Sequence, residues 1–299
     1  MTTVDRTDRA PGRIGVIGLG LMGTALTERF LQAGFSVHVY NRTREKAQPL
    51  VAKGAQWSDN PLAICDRVVL SLYTSAVVEE VLGQMDAGLR PGQTLVDTTT
   101  GDPDQTARLA ARLAERGIRY LEAPISGSSE QTRRGEVMVM VGGPREVFDA
   151  CRDLFDTFAR KALYVGGWGS AAKMKLVTNL VLGLNRAALA EGLAFAQAIG
   201  LKPSDALVAL MESMAYSRIM ETKGRKMVEA DFSTQAKLAQ HLKDIRLILH
   251  EARAADLDIP LTEVHRTLLE AAETAGYGEA DNSAIIRAYT RPRRPNTGA

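Results

Sequence analysis

The chain has 299 residues, 45% of them hydrophobic and 24% charged, with a formal net charge of +2. That length favours two domains with a sizeable core, and the composition excludes an intrinsically disordered chain. The basic residues are scattered except in Arg291-Pro-Arg-Arg-Pro295, which excludes a broad electrostatic footprint for nucleic acid or membrane, and no apolar run reaches membrane-spanning length.

Met1 to Gly12 is polar and reads as a loose leader; the basic tail reads as a solvated surface. Arg13 to Ile17 reads as a buried strand, Gly18-Leu19-Gly20-Leu21-Met22-Gly23 as a turn, and Thr24 to Ala33 as a helix. In that order, Gly18 permits the tight turn, Gly20 lets a pyrophosphate approach the backbone, and Gly23 lets helix and strand pack closely. The spacing alone is a weak signal in a chain with 26 glycines, so its context has to carry the dinucleotide reading.

Gly34 stands where a helix C-terminal glycine would, and Phe35 to Tyr40 alternates like a second strand, which completes a βαβ unit. The strand ends at Asn41-Arg42-Thr43, where such folds read the ribose 2′ position. Asn41 is neutral and can bond a 2′ oxygen, while Arg42 can pair with a 2′-phosphate, so the pattern favours NADP(H), with NAD(H) as the alternative. Arg42 could also be a helix N-terminal residue and nothing more.

The alternation continues with a helix from Glu45 to Lys53, a strand at Arg67 to Leu72, a helix near Val77 to Met85, and a strand at Thr94 to Asp97. Asp102-Pro103 opens another helix, closed by Gly117, and Ile118 to Leu121 makes a further strand. Alternation of this kind predicts a doubly wound, mostly parallel sheet that binds ligand outside the carboxyl ends of its strands. Three strand ends are therefore informative together, although any one alone reads as ordinary loop chemistry: Leu72-Tyr73-Thr74, Thr98-Thr99-Thr100 and Glu122 to Ser128. Val137 to Val141, a helix to about Phe158 and Ala162 to Val165 end the alternating region. From Gly166 onward only helix signals remain, led by a long run from about Ser170 to Ile199, with later helices at Pro203, after Ser233 and after Pro260. The predicted domains are 13–165 and 166–290.

On the long helix, at about 100° per residue, Lys173 shares a face with Val177, Leu180, Leu184, Glu191 and Phe195, whereas Lys175 shares another with Asn179 and Arg186. Lys173 is thus expected on the buried apolar stripe, either as a function-bearing ammonium or as a lysine that snorkels or pairs with a carboxylate. Cys65 and Cys151 are the only cysteines, without a CxxC spacing or a secretory h-region, which favours a cytoplasmic setting. His38, His241, His250 and His265 lack zinc-ligand spacing, and no Gly-x-Ser-x-Gly elbow supports a hydrolase.

Gly18 to Gly23, Glu122-Ala-Pro-Ile-Ser-Gly127, Gly169-Ser-Ala-Ala-Lys173 and His241-Leu-Lys-Asp244 occur in the order found in the β-hydroxyacid dehydrogenases. The chain resembles most the branch of glyoxylate and succinic semialdehyde reductases, relatives of hydroxyisobutyrate and 6-phosphogluconate dehydrogenases, from Arg13 to about Arg287. The resemblance implies a Rossmann domain joined through a long helix to an all-α domain, an active site in the cleft between them, and a homodimer or homotetramer. It implies Lys173 as the catalytic residue, Ser126 and Gly127 at the substrate carboxylate, Thr100 near nicotinamide and substrate, and Lys243 with Asp244 reaching the cofactor. The family carries an asparagine one helical turn after its lysine, yet Leu176 and Val177 stand there and the first asparagine is Asn179. Ser128 replaces a common glycine, and Ala236 a common aromatic. The expected reaction interconverts a small carboxylate-bearing aldehyde and its hydroxy acid. Reduction of imines or larger ketones on the same fold, and a non-catalytic dinucleotide-binding assembly module, are the other readings.

Overall fold

A computed structural model describes residues 12–289; the polar leader through Pro11 and the Arg291–Pro295 tail lie outside the described residues. The chain divides into two compact units whose boundary falls between Lys175 and Leu176.

The first unit opens with β1 (Arg13–Ile17), α1 (Leu21–Gln32) and β2 (Ser36–Tyr40), as the alternation predicts. The expected helix from Glu45 to Lys53 is instead a 3-10 turn, Arg44–Ala47, followed by α2 (Gln48–Val51). Pro49 is the reason, because it has no N–H to donate back to the carbonyl of Glu45. There follow β3 (Gln56–Trp57), β4 (Arg67–Leu70), α3 (Ser75–Gln84), β5 (Thr94–Asp97), α4 (Pro103–Glu115) and β6 (Arg119–Glu122). The unit closes with β7 (Ile125–Ser126), α5 (Ser129–Arg133), β8 (Val137–Gly142), α6 (Arg145–Ala150), α7 (Arg152–Phe155) and β9 (Ala159–Gly166).

Strands β3-β2-β1-β4-β5-β6 lie side by side and parallel, with β8 antiparallel to β6, and β7 and β9 paired to β8. The order reverses between β1 and β4, the switch point at which doubly wound sheets bind ligands. Alternate residues feed opposite faces. Ile14, Val16, Val69, Val96 and Leu121 join one core cluster, while Ile17, Val68, Leu70, Leu95 and Tyr120 join another.

A single helix, α8 (Ser170–Ala198), crosses the unit boundary. The second unit continues with α9 (Pro203–Met211), α10 (Arg225–Glu229), α11 (Leu238–Ala254) and α12 (Pro260–Ala272), and its described part is all helical. Leu189, Leu193, Leu238, Leu242, Ile245 and Leu269 belong to its own core. Among the described residues, no helix is long and apolar enough to cross a membrane.

Candidate active site

The glycine turn is built by steric exclusion at its ends and openness at its middle. Gly18 has φ +97°, and a Cβ there would lie 2.3 Å from the carbonyl oxygen of Ser71. A Cβ on Gly23 would lie 1.8 Å from the oxygen of Gly18, so strand end and helix start touch backbone to backbone. Around Gly20 nothing comes within 4 Å of the same position. Gly20 is also the N-cap of α1 and supplies no capping side chain, which leaves the first-turn amides at Leu21, Met22 and Gly23 without intrahelical acceptors. Backbone that a ligand can approach, at the positive end of a helix dipole, fits the pyrophosphate of a dinucleotide.

Asn41 is tied into the turn by both ends of its carboxamide. Its Oδ1 accepts from the Leu19 amide at 2.9 Å and its Nδ2 donates to the Thr43 carbonyl at 2.8 Å, so the side chain clamps the glycine turn to the end of β2. Arg42 and Thr43 are exposed beyond it. One residue on, Arg44 lies over the Trp57 ring at 5.0 Å, with Tyr40 packed against the same indole at 5.6 Å. The sequence alone does not single out this second guanidinium, because its aromatic partner Trp57 lies thirteen residues further on.

At the neighbouring strand ends the threonines act on backbone. Thr99 Oγ1 accepts from the Leu72 amide at 3.1 Å, and Thr74 caps α3 by accepting from Val77. Tyr73, between them, is exposed, and Thr100 is half-buried. Asp97 lies beneath: burial raises the pKa of its carboxyl, against the opposing bonds from Thr99 and from the Tyr120 hydroxyl at 2.5 Å.

The Ile125–Gly127 loop sits on β7. Gly127 has φ +146°, and a Cβ there would strike Val137 Cγ1 at 2.5 Å. Ser128 forms a capping box with Gln131 at the start of α5, which accounts for a hydroxyl residue where the family often has glycine. Ser126 is half-buried and Gly127 exposed.

The two lysines exchange places relative to the expectation. Val177, Val181 and Phe195 are 59%, 52% and 63% exposed and Lys173 is exposed with them, so that face of α8 is not the buried one. The buried face carries Lys175, Asn179 and Arg186, at 7%, 5% and 1% exposure. Lys175 Nζ donates 2.7 Å to the carbonyl of Ile125, the residue before Ser126. Polar residues at helical spacing resemble a solvated face, which is why the sequence pattern pointed to Lys173. Counted from Lys175, Asn179 falls four residues on, one helical turn, where the family carries its asparagine.

Glu122 stands at the end of β6. One carboxylate oxygen accepts from the Gly169 amide and the other from Ala172 at 2.9 Å. Burial pushes the Glu122 carboxyl up to about 7, against the pull of these amides.

In the helical unit, Asn179 Nδ2 donates to Asp244 Oδ2 at 2.8 Å, and Lys243 Nζ lies 2.9 Å from Asp244 Oδ1. Nearby positions on the same helices bury more polar groups. Gly183 faces His241 and His265, whose rings stand 5.3 Å apart, and a Cβ on Gly183 would come within 2.6 Å of both. Burial, then the charge of Arg186, pushes His265 down to about 3, and burial lowers Arg186 to about 10. Lys223 and Asp281 form a buried pair at 2.8 Å.

Residues 13–166 match the family described as the NAD binding domain of 6-phosphogluconate dehydrogenase, and residues 169–289 match that described as the NAD-binding of NADP-dependent 3-hydroxyisobutyrate dehydrogenase. The chain is 33% identical over 282 residues to 2-hydroxy-3-oxopropionate reductase of Escherichia coli (strain K12), covering 92% of this chain and 96% of that one. It is 31% identical over 293 residues to the cytokine-like nuclear factor N-PAC of Bos taurus, 96% of this chain but only 52% of that protein, so it spans about half the length of that relative. A solved structure described as Psf3 in complex with NADP+ and 2-OPP superposes with a TM-score of 0.85 at 27% identity, over 93% of this chain and all of that one. With the glycine turn, the switch-point sheet and both halves matched, the chain belongs to the β-hydroxyacid dehydrogenase family and is an NAD(P)-dependent oxidoreductase.

Proposed function

We infer that the chain interconverts a small carboxylate-bearing aldehyde and its hydroxy acid, uses NADP(H) in preference to NAD(H), and relies on Lys175 as general acid and base. The observation that carries this reading is the buried Lys175 ammonium, held against the carbonyl next to Ser126. The name of the Escherichia coli relative supports the substrate class, since 2-hydroxy-3-oxopropionate is an aldehyde bearing a carboxylate.

Gly18 to Gly23 with Leu72, Tyr73, Thr74 and Thr100 would hold the dinucleotide, with Arg42 and Thr43 at its 2′ end. Bound there, the nicotinamide supplies the hydride. The Ser126 hydroxyl and the Gly127 amide suit a carboxylate, because they donate hydrogen bonds without adding a competing charge. Lys175 stabilises the developing negative charge on the aldehyde oxygen and delivers a proton to it; in the oxidative direction its neutral amine takes that proton back. The family resemblance assigns Lys243 and Asp244 to the cofactor, and Asn179, bonded to Asp244, is placed with Lys175 in the catalytic set. Both thiols are buried and burial pushes each up to about 11, which accords with a reducing, cytoplasmic setting.

The test sets two variants side by side. Lys175→Ala should lower kcat by at least ~10²-fold with NADPH affinity retained, whereas Lys173→Ala should stay within a few-fold of wild type. The reverse ranking returns the role to Lys173. A panel of carboxylated aldehydes and cyclic imines, run with NADPH and then NADH, reads substrate class and cofactor preference; turnover of imines alone, or tighter NADH binding, rejects the corresponding part of the proposal.

A further inference from the structure

The long helix that carries Lys175 is preceded by Gly169, a residue with no side chain to cap it. Its first turn is satisfied from a distance by Glu122, 47 residues earlier in the chain, whose two carboxylate oxygens accept from Gly169 and Ala172. Ala172 and Lys175 lie three residues apart, on one face of the helix. Glu122 in turn stands three residues before Ile125, whose carbonyl receives the Lys175 ammonium. The close fit extends below. A Cβ on Gly142, the residue paired with Glu122 across β6 and β8, would lie 3.1 Å from Ala171 Cβ and 3.0 Å from the Gly167 carbonyl, so strand and helix start leave no slack between them.

We propose that Glu122 is a positioning residue for Lys175, tying the first turn of α8 to the strand end that bears the Ile125–Gly127 loop, so that ammonium and substrate-binding loop are held in register by one carboxylate. The proposal rests on the Lys175 reading above. Its chemistry requires the ionised form. A carboxylate can accept on both oxygens, whereas a protonated carboxyl turns one of them into a donor facing an amide N–H. The ionisable groups that face Glu122 are Asp97, its register partner on β5, and Tyr120 on β6; β8 presents Gly142, and the start of α8 presents Gly169, Ala171 and Ala172, none of which titrates. Asp97 opposes ionisation, and the helix amides favour it.

Amide hydrogen exchange and steady-state kinetics on the full chain test this together. In Glu122→Gln, exchange at Gly169 and Ala172 should accelerate ~10-fold or more, kcat should fall ~10-fold with NADPH affinity unchanged, and the acid limb of the kcat profile near pH 7 should move or vanish. Glu122→Asp keeps the charge and should recover part of both losses. Unchanged exchange at those two amides in Glu122→Gln overturns the proposal, and so does an unaltered pH profile. If Glu122→Gln fails to fold, the wild type decides: exchange at Gly169 and Ala172, normalised to amides in the middle of α4, should rise as pH falls through 7, and a flat ratio overturns the anchor. Lys175→Ala is measured in parallel. Wild-type turnover in that variant rejects the lysine assignment, while the exchange data still report on Glu122, so the two failures are distinguishable.

Discussion

Gly18, Gly20 and Gly23 share a residue type but not a reason for it. Gly18 needs its positive φ and Gly23 needs the space that a Cβ would take from the Gly18 carbonyl, whereas a Cβ on Gly20 would meet nothing within 4 Å. Folding and ligand binding can therefore be separated within six residues. Gly20→Ala should change stability by about 1 kcal/mol or less, because its φ of −72° suits any residue, yet it should weaken dinucleotide binding at least ~10-fold by standing where the phosphates approach. Gly23→Ala should cost more than about 3 kcal/mol or prevent folding. Denaturant unfolding paired with NADPH titration reads both, and a Gly20→Ala protein that binds NADPH like wild type removes the phosphate assignment.

Of the elements, α8 is the one whose pattern misleads about the site. Periodicity finds its length to within a residue and separates its two faces, but does not say which face is inside. One face is apolar and open, with Val177, Val181 and Phe195; the other is polar and buried, with Lys175, Asn179 and Arg186. Burial of Asn179 and Lys175 is tolerated because Asn179 meets Asp244 and Lys175 meets the Ile125 carbonyl, and such pairing is invisible until the chain is folded. The Glu122 anchor is equally hidden, since no local pattern links residues 47 positions apart. By contrast the βαβ order, the Asp102 cap and the glycine turn are local in sequence and readable from it. The open face has a further consequence. α9 contributes no buried residue although Val208 is 64% exposed and Met211 and Met214 stand beyond it, so the helical unit displays apolar surface of the kind that a second copy would cover. Light scattering should give a dimer or tetramer at micromolar concentration, and Val181→Glu with Phe195→Glu should shift it toward monomer; a wild-type monomer rejects the assembly.

Across the whole molecule two buried groups, one in each unit, respond to pH in opposite directions. In the helical unit, buried His265 stays neutral down to about 3, while an unfolded histidine binds a proton near 6.5. The unfolded state therefore holds the extra proton between those values, and stability present above 6.5 is lost as pH falls toward 3. In the sheet unit, Glu122 is raised from 4.5 to about 7, so its contribution is present below 4.5 and lost as pH rises through 7. His265→Leu should shrink the difference in unfolding free energy between pH 7 and pH 5 by about 2 kcal/mol. An unchanged slope in urea titrations would show that His265 does not titrate as its burial requires.

Asn41 has a consequence for anyone wishing to exchange one nicotinamide dinucleotide for the other. Its carboxamide holds the Leu19 amide with one atom and the Thr43 carbonyl with the other. An aspartate introduced there to attract a ribose hydroxyl would keep the first contact and set oxygen against oxygen in the second, so selectivity and loop shape would change together. The Arg42 side chain is exposed beside that clamp, so under the proposed 2′ assignment it is the position where preference would be retuned with the turn left alone.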